Sequence, residues 1–219
     1  MAKAVKKTKV VNKKWYKIVA PRIFNNALVG ETYVNSVDQV VGKIMKVNLM
    51  ELTRDHKKQK QNVKFEVTEV RNDIGQTKPI YYEIMPSAVK RMIRRGKSKV
   101  DTSILCTSKT NEAVRIKPLI ITNYNATKNV QTDLRKAAEN TIINYVANAD
   151  FDRVFNDVIS FRIQRILREQ LKKIFPVKIC DIRVLKLEDE SKLKKSIKGS
   201  SKPEKTEEKK SEELVENKK

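Results

Sequence analysis

Residues 63–84 read VKFEVTEVRNDIGQTKPIYYEI, and this stretch decides the fold. Apolar and polar side chains alternate over residues 63–67 and again over residues 80–84, which is the period of a half-buried strand. Between these two runs, residues 72–75 (NDIG) bring together residue types that favour turns. The pattern therefore predicts a β-hairpin.

Further strands are predicted on both sides of this hairpin. Residues 45–49 alternate in the same way ahead of it, and residues 100–107 and 114–122 form a second candidate hairpin after it. Pro118 lies inside the last of these runs, and because proline lacks a backbone N–H it indicates an edge strand or a β-bulge. A final strand is predicted over residues 177–187.

Three helices are predicted, and two of them follow the strands. The first covers residues 86–95, with a proline in its first turn and Gly96 after its end. The second begins near Thr132, and the third covers about residues 151–175, with Ser160 as a candidate cap for a separate second piece. Strands followed by helices favour an α+β fold, with an antiparallel sheet or barrel body, over a doubly wound sheet.

The charge of the chain divides it into three parts. The 219 residues include 48 Lys and Arg against 26 Asp and Glu, for a formal net charge of +22. Residues 1–20 hold seven lysines and no acid, which predicts a basic N-terminal arm. Residues 188–219 contribute only +1 and have few apolar side chains, which predicts a disordered Lys/Glu-rich tail. Residues 21–187 are then predicted to form the α+β domain, which carries most of the remaining charge.

This surplus of positive charge calls for a polyanionic partner, and nucleic acid is a better candidate than an anionic membrane surface. No run approaches 18 uncharged apolar residues, so no transmembrane helix is expected. The N-terminal lysines are not followed by an apolar segment, so no secretory signal is expected. Cys106 and Cys180 are too few for a disulfide framework and fit a reducing cytosol.

Signs of catalysis are scarce. His56 is the only histidine and lies in a polar segment, which predicts an exposed loop residue and not a general base. Neither cysteine has a CxxC spacing or a neighbouring histidine, so both are predicted to be small buried residues in strands. The chain has no GxxxxGK[ST] or GxGxxG motif. We therefore predict no enzyme activity, no metal site and no cofactor.

Signs of binding are stronger. Residues 90–99 (KRMIRRGKSK) hold six bases and no acid, and we call them the basic segment. Helical spacing places Lys90 and Arg91 with Arg94 and Arg95 on the face opposite the apolar residues, so they form a ridge that can contact a polyanion. An ordinary solvated helix face is the alternative.

Aromatic residues are interleaved with lysines in residues 13–17 (KKWYK) of the arm. Trp15 and Tyr16 can stack on unpaired bases while the lysines contact phosphates. The alternative is that one of these aromatic side chains anchors the arm to the core. Lysine outnumbers arginine by 35 to 13, which favours many non-specific phosphate contacts. The predicted RNA-binding residues are Lys3, Lys6, Lys7, Lys9, Lys13, Lys14, Trp15, Lys17, Arg22, Lys57, Lys58, Lys60, Lys90, Arg91, Arg94, Arg95, Lys97, Lys99, Arg162 and Arg165.

The chain also resembles a known family in the order of several short motifs. Residues 14–16 (KWY), then Ala20-Pro21 and Phe24, then residues 30–32 (GET) are similar to the opening motif of the eS-one family of archaeal and eukaryotic small-subunit ribosomal proteins, formerly called S-three-a-e. Further motifs follow in the family's order over roughly residues 12–188: Gly42-Lys43 with Val47, Leu49, Leu52 and Asp55, then Arg115, Arg135-Lys136 and Ile174-Phe175-Pro176.

The resemblance implies a non-enzymatic, structural role in the cytoplasmic ribosome. A member of this family is expected to bind small-subunit rRNA on the platform, near the mRNA exit and the 3′ end of the rRNA. Its expected partners are neighbouring platform proteins and, near the exit, mRNA or initiation factors. The tail after Glu188 departs from the family's pattern. From the residues alone, a free-standing RNA-binding regulator or translation factor is the alternative, followed by an enzyme acting on RNA.

Overall fold

The computed structural model describes residues 13–188. Within this range the chain forms nine strands and five α-helices in one sheet with helices packed against it. The strands are β1 (Lys14–Val19), β2 (Leu28–Val34), β3 (Ile44–Asn48), β4 (Gln61–Arg71), β5 (Ile74–Ile84), β6 (Lys99–Asp101), β7 (Ile104–Thr107), β8 (Ala113–Thr122) and β9 (Val177–Glu188). The helices are α1 (Leu49–Thr53), α2 (Pro86–Met92), α3 (Lys128–Ala147), α4 (Phe151–Ile159) and α5 (Arg162–Lys172).

The strands form an open mixed sheet. The predicted α+β class is therefore confirmed, and of the two predicted forms of its body the structure has the sheet and not the barrel. Its main path runs β2-β1-β5-β9-β8-β6, while β4 joins β3 to β5 and β7 pairs with β8. The pairs are antiparallel except for one, because β1 runs parallel to β5. The body is therefore not purely antiparallel.

Strand β5 joins two parts of the sheet. One of its sides pairs with β4, while the other side is shared between β1, at residues 74–76, and β9, at residues 81–83. A small core lies under the β1 part and contains Tyr16 and Ile18. The larger core lies between the β9 part and the helices.

Phenylalanine rings connect the first hairpin to the helices in the larger core. The ring of Phe24 lies edge-on to those of Phe65 and Phe155, with centroid distances of 5.6 Å and 6.4 Å. Phe24 therefore connects α4 to Phe65 of β4 through aromatic packing, and within α4 the ring of Phe155 also contacts that of Phe151, at 6.0 Å. Phe65 and Phe155 are fully buried.

The predicted strands are confirmed with two corrections. The hairpin of residues 63–84 is formed by β4 and β5, and each strand has 11 residues. The predicted strand over 100–107 is divided into β6 and β7, which both pair with β8. Because β9 covers its other side, β8 is not an edge strand, and Pro118 is accommodated by a register shift between Lys117 and Pro118.

Two of the predicted helix boundaries are wrong. Helix α2 ends at Met92 and not at residue 95, because Ile93 adopts an extended conformation (φ −80°, ψ 125°). Helix α3 begins at Lys128, four residues before the predicted start. The hydroxyl of Thr132 donates to the Lys128 carbonyl at 3.0 Å, so this residue bonds back within the helix instead of capping its start.

The predicted break in the third helix is confirmed, but Ser160 does not cap the second piece. Helix α4 ends at Ile159 with Ser160 as its C-cap, and Phe161, with a left-handed backbone (φ 60°), is the N-cap of α5. The final strand is also confirmed as β9. None of the helices within residues 13–188 combines the length and apolar character needed to cross a membrane.

The two ends of the chain are described only in part. Residues 14–19, which we assigned to the arm, form strand β1 within the sheet. The rest of the arm up to residue 12, with Lys3, Lys6, Lys7 and Lys9, lies outside the described residues. So does the predicted tail after Glu188.

Candidate nucleic-acid interface

Three segments meet where β8 ends and where β6 and β9 begin. They are residues 94–98, 122–128 and 172–178, and we call their meeting point the three-loop junction. Ser98 and Thr122 hold the first two segments together, because the Thr122 N–H donates to the Ser98 carbonyl and the Ser98 N–H donates to Thr122 Oγ1, each at 3.0 Å. These bonds satisfy backbone groups that lie just outside the β-ladder.

Two further hydrogen bonds fix the rest of the junction. The Ala126 N–H donates to Ser98 Oγ at 2.9 Å, which holds the loop before α3. The Asn123 N–H donates to the Pro176 carbonyl at 3.0 Å, which ties the same loop to the segment between α5 and β9. These hydrogen bonds fix the backbone of the three segments relative to one another, and with it the positions of the Cα atoms that carry the side chains of the junction.

Seven positively charged residues lie in the three segments of this junction. No carboxylate among residues 13–188 lies within 4.0 Å of their charged groups. Six of the seven are exposed, and Lys97 is half-buried. The seven side chains are those of Arg94, Arg95, Lys97, Lys128, Lys172, Lys173 and Lys178.

Two of these cations lie near each other. Thr122 bonds to Ser98 on one side and pairs with Val177 on the other, and the nearby amine of Lys178 is the largest cause of the lowered pKa of Lys97. Repulsion from the charges of Lys178 and Arg94 lowers the same pKa further. Two ammonium groups held side by side without a carboxylate are the arrangement that a bound anion stabilises.

Arg168 holds the third segment of the junction in place. Its guanidinium donates to the Lys178 carbonyl at 3.2 Å, which ties α5 to the start of β9. Burial raises the pKa of the half-buried Asp181 carboxyl, and the charges of Arg168 and Lys60 act in the opposite direction. Arg168 and the predicted residue Lys60 therefore both lie near this carboxyl.

An aromatic side chain lies on the same junction. Tyr124 is 68% exposed, the most exposed large hydrophobic side chain of the described part of the chain. The Thr122 hydroxyl lies 2.6 Å from the Tyr124 carbonyl oxygen, to which it donates, so the backbone below the ring is held in place. An exposed ring among cations can stack on a nucleobase while the cations contact phosphates.

The basic segment is only partly assembled as predicted. The apolar side of α2 packs on the core, with Ala88 and Val89 buried, and Lys90 and Arg91 are exposed on the same helix as expected. Arg94 and Arg95 are exposed as well, but they lie beyond the end of the helix, in the junction. The prediction of one helical ridge is therefore wrong, because the helix ends before Arg94, although all four side chains of the predicted ridge are exposed.

Lys99, at the end of the basic segment, already has an anionic partner. Its amine forms an ion pair with Asp101 at 2.7 Å, and Arg183 contacts the same carboxylate at 3.3 Å. Lys99 is therefore a weaker candidate for an RNA contact than its neighbour Lys97.

The arm residues divide between the two faces of β1. Tyr16 is 4% exposed and packs in the small core, whereas Trp15 is 62% exposed. Tyr16 is thus the aromatic anchor that we considered as an alternative, and Trp15 is left on the surface. The remaining described basic residues of the predicted arm, Lys13, Lys14 and Lys17, are all exposed.

The other predicted residues lie at separate places on the surface. Arg22 is exposed on a short 3₁₀ turn, and Lys57 is exposed on a second such turn, which also holds the half-buried Lys58. Arg162 contacts Asp157 at 3.9 Å, and Arg165 is exposed one turn later. Since an α-helix rises 1.5 Å per residue, Arg162 lies about 15 Å along α5 from the junction.

Sequence reasoning also missed a row of charged side chains that crosses the open face of the sheet. Pairing registers align Lys46, Lys64, Tyr81, Lys186 and Arg115 across five strands. The Lys64 amine lies 4.8 Å from the Tyr81 ring centroid. Two carboxylates balance most of this row, because Glu83 pairs with Lys46, and Glu188 pairs with Arg115 and Lys186. The three-loop junction, with no such balance, is the better candidate.

The groups that could carry catalysis are poorly placed for it. His56 is exposed on its turn, and no cluster of three or more metal-ligating side chains occurs among residues 13–188. Cys106 and Cys180 are both buried, as predicted. Burial raises the pKa of the Cys106 thiol to about 11 and that of the Cys180 thiol to about 12.

We expect both thiols to be unreactive in the native protein at pH 8, because they stay protonated and shielded. A disulfide reagent such as dithionitrobenzoate should label neither cysteine within the time in which it labels both in urea. Rapid labelling of the native protein would contradict the burial of these side chains.

Comparison with known proteins agrees with the family resemblance. The model of the family described as "Ribosomal S3Ae family" matches residues 1–191. Small ribosomal subunit protein eS1 of Saccharolobus islandicus (strain L.S.2.15) is 30% identical over 192 residues, covering 86% of this chain and 91% of the relative. The protein of the same name in Halorubrum lacusprofundi is 31% identical over 180 residues, covering 80% of this chain and 82% of the relative. That of Methanothrix thermoacetophila is 27% identical over 171 residues, covering 78% of this chain and 81% of the relative. The chain therefore belongs to the Ribosomal S3Ae family.

Proposed function

We propose that this chain is a structural, non-enzymatic constituent of the small ribosomal subunit, in which it binds rRNA. Its membership of a ribosomal protein family and the eS1 names of its relatives support this role. The position on the platform, near the mRNA exit and the 3′ end of the rRNA, is carried over from the family resemblance, as are the neighbouring platform proteins, the mRNA and the initiation factors as partners.

The closeness of Lys97 and Lys178 is the observation that carries the RNA-binding part of the proposal, and it follows from the backbone, since Thr122 bonds to Ser98 and pairs with Val177. Residues 81 positions apart in the chain are brought together with like charges, and Arg94 adds a third positive charge beside them. Folding alone gains nothing from this repulsion. A phosphate group placed between the two amines converts the repulsion into attraction and releases counterions from the RNA.

The mechanism that we propose is neutralisation of charge combined with a fit to folded RNA. Phosphates meet the amines and guanidinium groups of the junction, whose backbone is already fixed by hydrogen bonds to Ser98. Pre-organised cations lose little conformational entropy when the RNA docks. Contacts of this kind set position and orientation without reading the base sequence.

Sedimentation of a tagged copy from cells tests this function. We expect the chain to migrate with small ribosomal subunits and to remain with them through a moderate salt wash, because many phosphate contacts and a buried position resist exchange. A free-standing regulator or translation factor, the alternative function, would leave the subunits in the same wash. An unrelated transient factor followed on the same gradient serves as the control.

A further inference from the structure

Two large aromatic side chains face outward on the β1–β2 hairpin. Trp15 lies directly opposite Tyr33 in the strand pairing, and their ring centroids are 4.9 Å apart at an interplanar angle of 33°. Trp15 is 62% exposed and Tyr33 is 50% exposed. The next residues along the two strands, Tyr16 and Val34, point the other way and are buried in the small core.

The fold does not account for the aromatic character of this pair. The small core is filled by the opposite face of the hairpin, so Trp15 and Tyr33 add little to it. Single exposed apolar residues are ordinary, but a contacting pair of exposed aromatic rings forms a patch of the kind that marks an interaction site. Such a patch needs an occupant with a flat apolar surface.

The charges around the pair indicate the chemistry of that occupant. The Lys13 amine lies 5.7 Å from the Tyr33 ring centroid, and Lys14 and Lys17 are exposed on the same strand as Trp15. Glu31 lies opposite Lys17 in the pairing, but none of the three lysines forms an ion pair within the described part of the chain. Flat rings flanked by unpaired cations match a nucleobase flanked by phosphates.

We propose that Trp15 and Tyr33 form a stacking platform for an unpaired nucleobase of RNA, whose neighbouring phosphates contact Lys13 and Lys17. Lys14, next to Trp15 on β1, points to the opposite face of the hairpin. The proposal rests on the proposed function in taking RNA as the ligand, and it adds the class of RNA that this surface selects. A base inside a duplex is already stacked on both faces, so the platform binds a single-stranded loop, bulge or end.

This platform is separate from the three-loop junction. Strand β1 pairs with β5 at residues 74–76, whereas β9, which leads into the junction, pairs with β5 at residues 81–83. With a rise of about 3.3 Å per residue, these two points on β5 are roughly 20 Å apart. The two surfaces can therefore be tested independently.

Trp15 is the only tryptophan of the chain, so its fluorescence reports directly on the platform. We would titrate the full chain with a short oligouridylate and with a matched oligonucleotide of the same length whose central riboses lack bases. The expected result is quenching by the oligouridylate and much weaker quenching by the abasic probe, although both probes carry the same phosphates. Equal quenching by the two probes, or binding of neither, would overturn the proposal.

Substitutions provide a second readout, using fluorescently labelled oligouridylate and its anisotropy. We expect Trp15→Leu or Tyr33→Leu to weaken binding by about five- to 150-fold, the range that corresponds to the loss of one stacked base, while Trp15→Phe retains most of the affinity. An unchanged RNA affinity of the Trp15→Leu variant would contradict the platform and would favour a protein as the partner of the Trp15–Tyr33 pair. Because the proposed function is tested by sedimentation with subunits, its failure is distinguishable from the failure of the platform.

Discussion

Replacing Phe155 by alanine should lower the free energy of unfolding by about 3–5 kcal/mol, the usual cost of removing a fully buried phenylalanine. The ring is 0% exposed and contacts both Phe24 and Phe151. Its removal would leave a cavity between α4 and the sheet, where the neighbouring rings cannot close the gap without giving up their own contacts. For a domain of this size such a loss is a large share of the total stability.

Urea unfolding of the isolated full chain, followed by circular dichroism, measures this effect. Tyr124→Ala is the control, since it also removes an aromatic ring but from a side chain that is 68% exposed. We expect the control to change the free energy of unfolding by less than about 0.5 kcal/mol. Equal effects of the two substitutions would show that Phe155 is not part of a packed core.

Charge reversal at the junction, by Arg94→Glu, Lys97→Glu and Lys178→Glu together, should weaken binding to small-subunit rRNA more than any other surface change. Each phosphate contact that is lost lowers the slope of log affinity against log salt by about 0.7–0.9, so the slope should fall by roughly 2–3. The fold should stay intact, because these three side chains are not buried and make no ion pair in the described structure.

Filter binding at several salt concentrations measures the slope. The matched control reverses three exposed bases elsewhere, by Arg71→Glu, Lys109→Glu and Arg153→Glu, which changes the net charge by the same amount. The Arg71–Glu69 ion pair that this breaks is exposed and worth little to stability. If the control weakens binding as much as the junction variant, net charge and not the junction determines the affinity.

The sequence predicted the sheet best where a strand has one buried face. Apolar and polar residues alternate over 63–67 and again over 80–84, and the same alternation of burial is found in these parts of β4 and β5. The pattern could not show that β1 runs parallel to β5, because pairing between residues 14–19 and 74–76 depends on tertiary contacts far apart in the chain.

The candidate site was predictable only where its residues are neighbours in the chain. The basic segment identified Arg94, Arg95 and Lys97, yet nothing local connects them with Lys178 or Tyr124. The lysine pair at residues 172–173, shortly before Pro176, can be recognised in the sequence. Its place in the junction depends on hydrogen bonds between segments far apart in the chain, which the sequence does not show.

The two adjacent aromatics show a different limit. Trp15 and Tyr16 are both aromatic residues flanked by lysines, so the sequence does not distinguish their roles. Consecutive side chains of a strand point to opposite faces, and only the strand assignment decides which of the two faces the core. We predicted an arm in this region because residues 1–20 hold seven lysines and no acid. Had β1 been identified, alternation with the buried Ile18 would have assigned Tyr16 to the core and Trp15 to the surface.

The position of β9 has a consequence for how this protein is made. The last strand of the described chain is inserted between β5 and β8, so it separates two hairpin units that are synthesised much earlier. Until residues 177–188 emerge, each unit displays an unpaired strand edge, and such edges promote aggregation. A nascent chain of this topology therefore completes its sheet only after residues 177–188 have been synthesised, and truncation before β9 should yield an insoluble product.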